Sequence, residues 1–177
     1  DFTGPGKADD LDPLPVLVDL GQLGVSGYQA ADWLRAERSV DVHLGDHRRV
    51  GAQLTYADDA ATAGTLVSAL TELASCASEF DPPYEMHVPT GDRLRMEQAM
   101  LPRDAYFGAV EDVPAHVAAG RIAAEMITPY PPGIPAALPG ERLTEEALAY
   151  LRSGVEAGMN LPDAADPSLG TVRVAVE

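Results

Sequence analysis

Apolar residues follow two different spacings along this chain, and the switches between them predict its elements. Pro15-Val16-Leu17-Val18-Asp19-Leu20 reads as a buried strand, with Pro15 at its first position, where a missing N–H is tolerated. Ser26 offers an N-cap before Tyr28, Ala31, Trp33 and Leu34, a spacing that predicts an amphipathic helix ending near Arg38. Val40, Val42 and Leu44 then alternate with Asp41 and His43, the period-two signature of a strand. Beyond the polar turn Gly45-Asp46-His47, Arg49 to Tyr56 reads as its antiparallel partner. Asp58 or Asp59 caps a longer helix with Ala63, Leu66, Val67, Leu70 and Leu73 on one face. Strand, helix, hairpin and helix make an open-faced α/β sandwich.

The second half is punctuated differently. Phe80 to Pro89 reads as a connector, Leu101 to Phe107 as a short turn or helix, and Arg121 to Thr128 as a strand. Residues 127–141 then hold Pro129, Pro131, Pro132, Pro135 and Pro139, with Gly133 and Gly140. Each proline fixes its own φ and pushes its predecessor toward extended geometry, so neither helix nor central strand runs through. Ile127, Tyr130, Ile134 and Leu138 make the segment too apolar for a solvated linker, which predicts a rigid, partly buried and extended path. Thr144-Glu145-Glu146 opens a helix through Ala147, Leu148, Leu151 and Val155, ended by Gly158, and Thr171 to Val176 alternates as a last strand. The fold class expected is α+β, in two small units: a polar tail over 1–12, a first unit over 13–80, a connector over 81–98 and a second unit over 99–177.

Composition narrows the partners. With 46% apolar residues the chain has enough for a core, so global disorder is excluded. A formal charge of −16, from 12 basic and 28 acidic side chains, argues against nucleic acid and anionic lipid, and would favour a cationic substrate. Cys76, the single cysteine, makes no internal disulfide. No apolar run approaches a membrane span and no signal pattern opens the chain, so a cytoplasmic location is expected. His43, His47, His87 and His116 show no metal-ligand spacing, so no metal is expected. Asp58-Asp59 and Ser26-Gly27 read as helix caps rather than as acid–base or nucleophilic groups.

One run is specific enough to carry a resemblance. Gly120-Arg121-Ile122-Ala123-Ala124-Glu125-Met126, then Pro129-Tyr130-Pro131-Pro132-Gly133-Ile134-Pro135, then Pro139-Gly140-Glu141 and Thr144-Glu145-Glu146, resembles the C-terminal domain of the Orn/Lys/Arg decarboxylases. Upstream, Ser26 to Leu34, Val40 to Leu44 and Asp46 to Val50 look like the small domain of that family, whose members are pyridoxal-phosphate enzymes of the aspartate-aminotransferase fold type. The resemblance implies that 13–80 is the small domain and 99–177 the C-terminal domain of a decarboxylase of lysine, ornithine or arginine. In such enzymes a lysine holds the cofactor as a Schiff base. The only lysine here, Lys7, lies in a Gly/Pro/Asp-rich opening, and no glycine-rich phosphate cradle follows a strand. The chain is therefore expected to lack catalytic and cofactor-binding residues, to bind no pyridoxal phosphate and to be inactive alone. It would frame the active-site entrance and pair with the cofactor-binding domain of the same enzyme.

In several members of that family the corresponding strand position looks to be a glutamate that receives the substrate's distal cation; the histidine here, His43, puts the usual lysine, ornithine or arginine preference in doubt or shifts the role to Asp41 or Asp46. A surface histidine on an edge strand is the other reading. Glu125 and Glu141, beside the proline path, are expected in caps and surface pairs, with guidance of a cationic substrate as the alternative. A homo-oligomer is implied, and an apolar face including Trp33 or residues 16–20 is expected to be open to self-association. The competing class is a non-catalytic interaction or oligomerisation module.

Overall fold

The computed structural model describes Asp10 and residues 12–176; Lys7 and nearly all of the expected polar tail 1–12 lie outside them. The fold is α+β and divides between Pro83 and Tyr84, within the expected connector.

In unit 1 an antiparallel sheet of order β1-β3-β2 is formed by β1 (Pro15–Asp19), β2 (Leu44–Gly45) and β3 (Arg49–Gln53). Two helices accompany it, α1 (Gly27–Arg38) and α2 (Ala60–Cys76). Ser26 caps α1 in a reciprocal box: its hydroxyl accepts from Gln29 N–H, and the Gln29 side chain accepts from Ser26 N–H. Gly27 is required there, because a Cβ would fall 1.9 Å from the Arg49 carbonyl oxygen. That close approach seats the start of α1 on the β2–β3 turn, where Tyr28 N–H donates to Asp46 O. Asp59 caps α2 by accepting from the N–H groups of Ala61 and Thr62. The core is Leu20, Val25, Ala30, Val50 and Leu73, with Val18, Trp33, Val42, Leu70 and Phe80 packed against it.

The expected strand over Val40–Leu44 shrinks to Leu44–Gly45, and its partner stops at Gln53 rather than Tyr56. The cause is a conflict of faces. Leu44 lies with Gly51 and Leu17 on the sheet face away from Val50. A regular pleat would send Val42 to that face too, yet Val42 packs into the core. The chain bends at His43 instead, and no hydrogen bond joins Val42 to Gln53. Val40 N–H is already held by Leu34 O in the C-cap of α1. A longer strand would forfeit that bond and the burial of Val42, about 1 kcal/mol each, for two ladder bonds of similar net worth. On α2 the expected face is corrected at Val67, which is 64% exposed; the buried positions are Ala69 and Leu73.

Unit 2 contains α3 (Pro102–Phe107), β4 (Val110–Pro114), α4 (Glu145–Ala157) and β5 (Thr171–Ala175), with β4 and β5 antiparallel. Its fully buried side chains include Ile127, Leu143, Leu148, Leu151, Leu161, Val172 and Val174. Thr144 caps α4 and Gly158 ends it, as expected. β4, where no strand was expected, carries ion pairs from two adjacent positions: Glu111 pairs with Arg121 and Asp112 with Arg173.

Two expectations for this unit are corrected. Residues 121–128 form single bridges to different partners rather than a strand: Ile122 to Arg142, Ala123 to Val174 and Ile127 to Ala137. A buried carboxylate, Glu125, interrupts the ladder by taking the Arg173 N–H for itself. The proline path also folds back instead of running extended. Gly133, at φ 89°, lets the chain reverse, with its N–H donating to Pro129 O, and Ala136 N–H then returns to Ile127 O. Ile127 and Pro129 are buried, whereas Tyr130, Ile134 and Leu138 face water.

Candidate functional site

The bend at His43 has a consequence for the surface of unit 1. Because 40–43 leaves β3 while 52–55 continues, a groove of about 780 Å³ opens between them against the first half of α2. Val40, Val42, Leu54 and Leu66 supply apolar lining, and Asp41, His43, Gln53 and Asp58 the polar part; no lysine or arginine lines it. The volume is in the range of small-molecule sites.

The structure brings together two of the three site residues expected from sequence. Asp41 and His43 both line the groove. Asp41 Oδ1 is 2.5 Å from Arg35 Nε, an exposed pair that raises the Arg35 pKa, chiefly through that hydrogen bond. His43 is exposed and makes no side-chain hydrogen bond or ion pair among the described residues. Asp46 is elsewhere: its Oδ1 accepts from Arg48 N–H at 2.7 Å and Arg49 N–H at 2.6 Å, which fixes the β2–β3 turn. Asp58, read from sequence as a cap, joins the groove while its Oδ2 accepts from the backbone N–H and hydroxyl of Thr55. The carboxylates of Asp41 and Asp58 face an apolar lining, an arrangement that suits an ammonium or guanidinium on an aliphatic stem where it exchanges with the exposed Arg35 on Asp41.

A second surface of unit 1 is the open side of its sheet. Leu17 is 62% exposed there, flanked by Gly51 and the half-buried Leu44. The expected apolar face is thus narrower than 16–20: Val16 and Val18 are half-buried and Leu20 is buried. Trp33 is half-buried against the core, with the Arg38 guanidinium 4.9 Å from its ring centroid.

In unit 2 the charged residues beside the proline path are structural. Glu125, 5% exposed, accepts from Ala165 N–H and Arg173 N–H, both at 2.6 Å, one on each oxygen. Glu141 accepts from Leu138 N–H. Asp163, unmarked in the sequence, accepts from the N–H and hydroxyl of Thr128. Glu125 is therefore a buried clamp rather than a surface cap; the signal for it was a lone acid between apolar residues 122–124 and 126–127.

No described residue can hold pyridoxal phosphate covalently, because the only lysine of the chain, Lys7, is outside them. The described residues therefore do not fit that group. Among the described residues there is no cluster of three or more His, Cys, Asp or Glu able to hold a metal, and no helix is long and apolar enough to cross a membrane.

Comparison with known proteins gives a consistent result. The sequence profile of the family described as "Orn/Lys/Arg decarboxylase, C-terminal domain" matches residues 90–172. The chain is 33% identical over 183 residues to an arginine decarboxylase of Bacillus anthracis, and 35% identical over 180 residues to one of Bacillus subtilis. Each match takes in 100% of this chain and 36% of the relative, so the chain spans about a third of the length of these relatives. The lysine decarboxylase LdcA of Pseudomonas aeruginosa is 52% identical over 59 residues, 31% of this chain and 8% of that protein. In fold, the constitutive lysine decarboxylase of E. coli superposes with a TM-score of 0.65 at 20% identity, over 97% of this chain and 33% of that one. Lysine decarboxylase A from Pseudomonas aeruginosa gives 0.67 at 23% identity, over 97% of this chain and 32% of that one. Residues 90–172 thus match the C-terminal domain of the Orn/Lys/Arg decarboxylase family, and the chain as a whole is similar to about a third of the length of the arginine decarboxylases.

Proposed function

We propose that this chain supplies the small and C-terminal domains of a pyridoxal-phosphate decarboxylase of a basic amino acid, over 13–80 and 99–177, and that the reacting groups belong to a separate cofactor-binding domain. The carrying observation is a match over the whole of this chain to about a third of the length of arginine decarboxylases, in a chain whose described residues include no lysine. On this reading the chain binds no cofactor alone and does not turn over substrate. Its part is to frame the entrance, in a cytoplasmic, oligomeric enzyme.

Within that frame Asp41, by exchanging its exposed Arg35 partner, is the group for the substrate's distal cation. His43, neutral, accepts a hydrogen bond but does not neutralise a cation, and protonated it would repel one. Asp46 is committed to its turn. The exposed strip of Leu17 with Leu44 is the seat for the cofactor-binding domain, since burying Leu17 there would be worth about 1–2 kcal/mol.

The test has two arms. The intact mass of the protein as its source makes it should correspond to about 500 residues, from 183 aligned residues being 36% of a relative; a mass matching this chain alone would remove the proposal. In the full enzyme, Asp41→Asn should raise KM for arginine or lysine about tenfold with kcat little changed, the mark of lost uniform binding. Unaltered kinetics would take Asp41 out of the site.

A further inference from the structure

The two arginines in the last turn of α1 are used differently. Arg38 is built into unit 1: its guanidinium lies 4.9 Å from the Trp33 ring centroid and pairs with Glu72 of α2 at 2.5 Å. The side chain of Arg35, three residues earlier, hydrogen-bonds only Asp41 among the described residues, at 2.5 Å.

That contact depends on how the helix ends. Ser39 is left-handed, at φ 52°, and its N–H and that of Val40 both donate to Leu34 O. The turn brings the chain back beside the helix it has just left, so Asp41, a residue of the groove wall, meets the Arg35 guanidinium. No lysine or arginine stands in that wall, and the cation that holds Asp41 comes from outside it. Both side chains stay wet, 63% exposed for Arg35 and 75% for Asp41. An ion pair so exposed gains little over hydration of its two partners, so it forms and breaks readily. The Asp41 hydrogen bond, and after it the charges of Asp41 and Asp32, raise the Arg35 pKa. Asp32 is exposed and lies three residues before Arg35 on the helix, a seat for the guanidinium when Asp41 is taken.

We propose that Arg35 is a resident competitor for the substrate's distal cation: it occupies Asp41 in the absence of substrate and so sets the KM of the parent enzyme. The inference rests on the reading of Asp41 given above and adds the residue that decides how often that carboxylate is open. Apparent affinity falls by the fraction of molecules in which the pair is broken. Such a competitor acts on binding and leaves the chemical step alone. Arg35 touches no reacting atom; it is a residue that controls access to another.

Steady-state kinetics of the full enzyme on its basic amino acid test this. Arg35→Gln should lower KM about two- to sixfold, the factor that an exposed ion pair can withhold, with the change falling on KM rather than on kcat. Arg35→Lys, which keeps the charge and most of the reach, should stay near the unaltered KM. In an Asp41→Asn background the effect of Arg35→Gln should vanish, since no carboxylate is left to compete for. A damaged fold does not imitate this pattern, because it loses activity rather than gaining affinity. Arg35→Gln without effect, while Asp41→Asn raises KM, would overturn the inference and leave the site reading standing; both cations would then share Asp41. A fall in KM that persists beside Asp41→Asn would also overturn it, by making Arg35 a source of long-range repulsion only. Asp41→Asn without effect would remove the site reading itself, and this inference with it.

Discussion

The two units solve the same packing problem in different ways. Unit 1 is held by periodic elements: two capped helices lie with a short sheet, and its core is aliphatic except for Trp33 and Phe80 at its margin. Unit 2 has one long helix and two paired strands, and much of its chain is irregular. There, carboxylates take the place of ladder partners. Glu125 ties down 165 and 173, Asp163 holds Thr128, and Asp166 holds Ser168 and Thr171. A patterned unit can leave one sheet face and one groove open without losing its core. An irregular unit needs its acids where they are, which explains why charged residues beside the family-specific proline run are structural.

The contrast is sharpest under substitution. Leu73→Ala truncates a fully buried helix residue of unit 1 and should cost about 3 kcal/mol. Trp33 is the only tryptophan of the chain and packs in unit 1, so its fluorescence in denaturant reads that loss. Equal loss of amide protection in unit 2 would show the units to be one cooperative body. Glu125→Gln is the corresponding blow to unit 2. It sets an NH₂ against a backbone N–H at a buried site, for about 2 kcal/mol. Hydrogen exchange should quicken at Ala165 and Arg173 while the Trp33 transition holds; a moved Trp33 transition would break the comparison.

Asp166 gives the smallest effect. Hydrogen bonds from the Ser168 hydroxyl, first, and then from the Thr171 and Ser168 N–H groups lower its pKa from 3.8 to about 2. A pKa below the unfolded value means that the folded state favours the ionised form. Its stabilisation is therefore complete above about pH 4 and lost as pH falls toward 2. Asp166→Asn should flatten that limb of the unit 2 acid titration; an unaltered limb would contradict the assignment.

Much of unit 1 was legible because its signals are local. Ser26 and Asp59 are caps, and apolar spacing marks both helices. The groove was not legible, since Val40, Val42 and Leu44 spell a strand and only the tertiary demand for Val42 in the core bends the chain at His43. In unit 2, Thr144, Gly158 and the final strand were plain. The bridges of 121–128 were not, because each residue there answers to a different distant partner. The proline run announced a rigid path but not its reversal at Gly133, nor that Tyr130, Ile134 and Leu138 face water. Of the site residues, Asp41 and His43 were placed by resemblance alone, and Asp46 was drawn away by its turn.

The central claim is that carbon dioxide release needs groups these residues do not supply. Its most direct test is release of labelled CO₂ from carboxyl-labelled arginine, lysine and ornithine by the purified chain with added pyridoxal phosphate. The account predicts no release above the protein-free control. Steady release by this polypeptide alone, abolished by Lys7→Ala, would contradict it.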